Sequence, residues 1–305
     1  VLVVTGPVPA VSPYVPFYAE TTPYITVAEF MSAPTGCDTS QLVQGASTEQ
    51  NRSALQTLIA SASGYADSLC YQVLAATVDM AVGEYRIFRD GTIRVPVPYT
   101  PLIEVTNVAL GQRAGALQNL NDLSGLWIQR KTVRIPVAGL AYTQVGVGSP
   151  AACSRGGSMF AQVTYVNGYA NTTLAVDAAA GASTIVVASP LGVFAGMPLT
   201  VYDDANSTTE LVTVAASYVP GSASVPLVSP LHGAHTAGTA VSAMPRAIKQ
   251  AVIALTAHLI KTRGAESLSL AGVSGGPSGI DKTEPGESEE YELAVDLLHP
   301  FKRVW

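Results

Sequence analysis

From Ser47 onward, apolar positions recur three and four residues apart, at Leu55, Leu58, Ile59, Ala62, Ala66 and Leu69, the interval at which one face of an α-helix returns. Ser47-Thr-Glu-Gln50 has the spacing at which a serine oxygen accepts an orphan amide and a glutamine reaches back. The pattern predicts an amphipathic helix over residues 48–71. Thr26-Val-Ala-Glu29 repeats that logic and predicts a short helix over 27–31.

The period then falls to two. GEYRIFRDGTIRVPV sets Asp90-Gly91 between two β-rich runs, which predicts a hairpin closed by a type I′ turn. Pro96, Pro98 and Pro101 confine the next stretch to edge or extended geometry. PLIEVTNVALG, LWIQRKTVRIPV and MFAQVTYVNGY read as three further strand regions.

Between residues 175 and 243, short β runs (STIVVA, PLTVYD, ELVTVAA, SVPLV and TAVSA) come about every ten residues with turn formers between them. That spacing predicts a small all-β barrel or sandwich. The helical period resumes in MPRAIKQAVIALTAHLIKTRGA, with Pro245 at the start, a stripe of Ile248, Val252, Leu255 and Leu259, and Gly264 as terminator. A Gly/Ser-rich connection leads to a last helix, capped by Ser288, with Leu293, Leu297 and Leu298 on one face; Pro300 stops it and FKRVW is left as a tail. The fold class expected is α+β: a helical core with a β-hairpin and short strands, plus the small β domain.

The chain of 305 residues is 48% apolar and only 12% charged, with a net charge of −6. Residues 175–243 hold four acids and no Lys or Arg. No basic stripe is visible along the chain, which argues against a tight grip on nucleic acid and leaves loose enclosure open. No apolar run is long enough to span a membrane. The opening 25 residues are apolar but cut by prolines and lack a basic start, so they read as an extended arm and not a signal peptide. Cys37, Cys70 and Cys153 have no metal-ligand spacing and read as free thiols.

Candidate chemistry is sparse. GVSGGPSG lacks the Gly-Lys-Ser/Thr step of a phosphate loop, and although its Gly272-Val-Ser-Gly-Gly276 run has Gly-x-Ser-x-Gly spacing, it does not lie between a strand and a helix and reads as a linker. His258 shares the alanine face of its helix and reads as a packing residue. His232 and His235 would need a third ligand, which Asp203, Asp204 or Glu210 could supply by converging in space. Gly233 and Gly238 favour the alternative, a turn that ends the β segment. No catalytic residue, cofactor or metal is expected.

Read in order, Pro101–Gly111, Val163–Tyr169, Pro245–Gly264 and Leu297–Arg303 resemble the head-to-tail adaptor, or connector, family of tailed bacteriophages. The resemblance spans residues 26–174 and 244–305, and departs from the family at residues 175–243, which look like an inserted domain. It implies a virion protein at the head–tail junction, assembled in the host cytoplasm: a ring of identical subunits, twelve in the family, that docks on the portal protein, meets the next head-completion or tail-side connector, and lets genomic DNA pass loosely through its channel. Membrane has no part in that picture. Tyr14, Phe17 and Tyr18 of the arm and Phe301, Lys302, Arg303 and Trp305 of the tail are then the interface candidates, being aromatic or basic residues outside the expected core. The competing reading is a tail or capsid decoration protein whose β domain recognises a surface or carbohydrate, for which it offers Phe194, Tyr202 and Tyr218.

Overall fold

A computed structural model describes residues 23–40, 42–129, 131–137, 157–203, 208–262 and 289–303. The fold is α+β, with four helices and thirteen strands among these residues, gathered around three separate apolar clusters.

The helical cluster is made by α1 (Val27–Ser32), α2 (Thr48–Cys70), α3 (Arg246–Thr262) and α4 (Glu289–Leu298). Both capping boxes form: Thr26 with Glu29, and Ser47 with Gln50. Leu55 and Ile59 of α2 meet Ile248, Val252 and Leu255 of α3, all buried. Residues far apart in sequence therefore close one core. The Lys249 Nζ–Glu29 Oε1 ion pair, 2.6 Å long and mostly buried, ties α3 to α1, and Lys261 pairs with Glu290 between α3 and α4. On α4 two of the three leucines of the stripe, Leu297 and Leu298, pack against the core and Leu293 does not. Ala294 and Leu298 face the core, whereas Leu293 is 53% exposed.

The second cluster lies between two antiparallel sheets. One has the order β1 (Thr77–Arg86), β7 (Ser158–Asn167), β3 (Leu102–Gly111), β4 (Gln118–Asn119); the other has β2 (Thr92–Pro96), β6 (Thr132–Pro136), β5 (Trp127–Gln129). The Asp90-Gly91 turn is real but is not the turn of a hairpin: β1 pairs with β7 and β2 with β6, so the chain changes sheet there. Gly91 alone has positive φ, and Asp90 Oδ1 accepts from the Thr92 amide and hydroxyl. An Asx-type turn that needs one left-handed residue thus replaces the type I′ turn, which needs two.

The third cluster belongs to the β segment. β8 (Asn171–Thr173), β10 (Pro198–Asp203), β11 (Thr208–Thr213) and β13 (Ala240–Ser242) form one sheet in the order β11-β10-β13-β8, and β9 (Thr184–Val186) pairs with β12 (Ser224–Pro226). GASTIVVASPL at 181–191 and GSASVPLVSPL at 221–231 are near-repeats. Their strands pair about Ile185–Val225 with pseudo-twofold symmetry. Entry and exit lie side by side, because β8 pairs directly with β13.

Candidate functional site

The two ends of the described chain are fastened to the helical core. The Tyr24 hydroxyl donates to Asp67 Oδ1 at 2.5 Å and accepts the amides of Leu74 and Ala75, while the Tyr24 amide donates to Ser63 Oγ. The arm therefore leaves from a fixed point on α2. At the other end, Leu298 leads into a 3₁₀ turn over His299–Phe301. Phe301 meets Tyr169 edge-on, and its carbonyl accepts from Gln72 Nε2. The Arg303 amide donates to the Cys70 carbonyl, and its guanidinium lies over the Tyr99 ring. Phe301, Lys302 and Arg303 are thus half-buried and clasped to their own chain. Tyr14, Phe17, Tyr18 and Trp305 lie outside the described residues. Beside the clasp, the Cys70 thiol is pushed up to about 12 by burial, with the Asp67 carboxylate adding to the shift, and is inert as a nucleophile.

The histidine pair and one of the three acids do converge. Glu210 accepts from the His232 amide (2.6 Å), the Gly233 amide (3.3 Å) and His235 Nε2 (3.0 Å). A carboxylate only accepts, so His235 carries its proton on Nε2 here. The Glu210 oxygens are spent on closing a turn, and among the described residues no group of three His, Cys, Asp or Glu is disposed to hold a metal. Burial raises the Glu210 pKa, but the two amides and the His235 ring more than offset it, and the net shift is downward. A depressed carboxyl contributes stability that is full above its ordinary pKa and is lost as pH falls through the folded value. Glu210→Gln is therefore expected to cost about 1–2 kcal/mol at pH 7 and less near pH 3, read by urea unfolding at the two pH values; an equal cost at both would contradict this.

A different surface gathers chemistry that no motif in the sequence announces. β2 is Thr92-Ile-Arg-Val-Pro96 and β6 is Thr132-Val-Arg-Ile-Pro136, and they pair so that Arg94 stands directly opposite Arg134. Ile93, Val95, Val133 and Ile135 point into the core, so both arginines point out. Trp127 of β5 pairs with Arg134. The outward row across the sheet reads Phe88, Arg94, Arg134, Trp127, with the Arg94 guanidinium 4.1 Å from the Phe88 centroid and that of Arg134 5.2 Å from the Trp127 centroid. An open groove of about 470 Å³ runs beside them, lined by Arg94, Gln129, Lys131, Thr132 and Arg134. The near-identical TIRVP and TVRIP runs were the available signal; only their antiparallel register makes it a site.

No family model matches this sequence, and no curated protein does. Among solved structures, the chain is similar to one described as the neck of an empty GTA particle computed with C6 symmetry, at 12% identity and a TM-score of 0.33, over 92% of this chain and 94% of that one. A superposition that loose transfers neither fold nor function.

One further surface is conspicuous. β1 is a ten-residue edge strand, and among the described residues its outer edge pairs with no strand. Val78, Met80 and Val82 project from one face of it at 55, 56 and 44% exposure. In the β segment, by contrast, Tyr202 and Tyr218 are buried, which leaves Phe194 as the exposed one of its three aromatics. Among the described residues no helix is long and apolar enough to cross a membrane.

Proposed function

We propose that this protein is a structural component of the neck of a tailed phage or phage-like particle, and specifically a head-to-tail adaptor: a ring of identical subunits, twelve by family resemblance, between the portal and the next connector. The order of motifs along the sequence supports the family. Assembly is carried by one structural observation, the unpaired β1 edge with its exposed Val78, Met80 and Val82. A long apolar edge is a liability in a monomer, and a neighbouring subunit covers it. Residues 26–174 and 244–305 form the adaptor core, residues 175–243 an inserted domain pointing away from the channel, and DNA passes through the ring.

In this reading the arm residues Tyr14, Phe17 and Tyr18, and Phe301, Lys302, Arg303 and Trp305 at the other end, meet neighbours or the portal. Because Phe301 and Arg303 also hold their own core, Trp305→Ala is a cleaner test of docking than deletion of the whole tail.

Mass photometry of the full chain, alone and with its portal, is expected to show rings. Met80→Glu places a charge on the exposed face and is expected to abolish them while leaving the monomer's melting temperature within about 2 °C, since surface changes are usually worth less than 0.5 kcal/mol. A wild-type chain that stays monomeric in both conditions contradicts the adaptor reading.

A further inference from the structure

We propose that the groove between β2, β6 and β5 is a binding site for the phosphate backbone of DNA, with Arg94 and Arg134 as its paired phosphate ligands. Like charges placed directly opposite on neighbouring strands stand about 5 Å apart at Cβ and destabilise a sheet. Here they are the central residues of two near-identical strands, with register centring one on the other. An anion between them removes that repulsion. Nothing nearby does so from within the chain: among the described residues the Arg94 fork meets only Asp90, at 3.3 Å and largely exposed, and Arg134 meets no acid. Both Nε atoms are covered and have no hydrogen-bond partner, so the terminal nitrogens are what each fork has to offer.

The aromatic rings explain how the two forks are held. Phe88 and Trp127 back the guanidiniums from either end of the row, restricting side chains that would otherwise swing apart, and planar stacked guanidiniums suit phosphate recognition. Lys131 adds a third positive charge at the rim and Gln129 a neutral donor.

The shape selects a polymer. A free anion is best held in an enclosed cavity that replaces its water, whereas this groove is open along the sheet. Trp127, 63% exposed, gives a sugar–phosphate chain an apolar floor beside the charges, and arginine contacts to phosphate position a protein on DNA without reading its sequence. With a net charge of −6 on the whole chain, the contact is weak and salt-sensitive, which permits sliding. The site lies on a single chain and stands or falls independently of ring formation.

The test is fluorescence anisotropy of the full-length protein with a 30-bp duplex at 50 and 200 mM salt, beside Arg94→Gln/Arg134→Gln and Trp127→Ala. The wild type is expected to bind at 50 mM and lose affinity steeply at 200 mM. The double variant should weaken binding at least about tenfold and reduce the salt slope by about 2, the loss of two phosphate contacts; its melting temperature should be unchanged or higher, because the repulsion is gone. Trp127→Ala is expected to fall between the two. No binding at 50 mM, or equal binding by the double variant, overturns the proposal. So does displacement of the duplex by inorganic phosphate at matched charge, which would make this a small-anion site, or stronger competition by polyglutamate, which would make its partner an acidic protein surface. Ring formation is read separately, so a subunit that assembles without binding DNA refutes this inference alone.

Discussion

Leu255→Ala is expected to cost about 3–5 kcal/mol, the range for truncating a fully buried leucine in a site that cannot collapse. Leu255 is 0% exposed in the middle of α3 and packs in the cluster that joins α1, α2 and α4. Its neighbours come from segments that the β module separates in sequence, so the cavity falls at the seam between the two parts of the chain. The β segment has its own apolar cluster, centred on Leu199, Val201, Val214 and Val225. Hydrogen exchange is therefore expected to show α2 and α3 amides losing protection by the full amount, while those of β10 and β13 change little. Uniform loss across all three clusters would mean that they unfold as one unit.

The second large effect depends on pH. Asp67 is completely buried on α2, and burial pushes its carboxyl up to about 7, against the opposing hydrogen bonds from Tyr24 and the Leu74 amide. Oδ2 has no hydrogen-bond partner. In the unfolded chain the same group titrates near 3.9. Between those values the native state holds a proton that the unfolded state has released, so stability is full below about pH 4 and is lost as pH rises toward 7. Asp67→Asn keeps an acceptor for Tyr24 and Leu74 and cannot ionise. Relative to this variant, the wild type is expected to lose on the order of 2–4 kcal/mol between pH 4 and pH 8, measured by urea unfolding at both. Parallel pH profiles would show that Asp67 titrates normally.

Legibility in the sequence tracks the range of the interaction. The two capping boxes were readable because donor and acceptor sit three residues apart, and they form as expected. The Asp90-Gly91 turn was readable for the same reason, but its strands' partners were not: β1 finds β7 some eighty residues away, and β2 finds β6 forty residues away. Periodicity placed α4 and the inward Leu297 and Leu298, but not the exposure of Leu293 or the burial of Ala294, which depend on how the helices pack together. The histidine pair looked like the richest chemistry on the chain and serves to close a turn on Glu210. The phosphate groove, which no linear stretch announces, exists because register sets Arg94 against Arg134.

Local period and composition were enough to place the helices, the two capping boxes and the β character of residues 175–243. Folding in three dimensions settled which strands share a sheet, which face of α4 is buried, that the tail is clasped through Arg303, and that a chain with no basic stripe carries a basic row. The division arises because backbone hydrogen bonding and side-chain period act over a few residues, whereas pairing register and close packing are fixed between segments that meet only when the chain has folded.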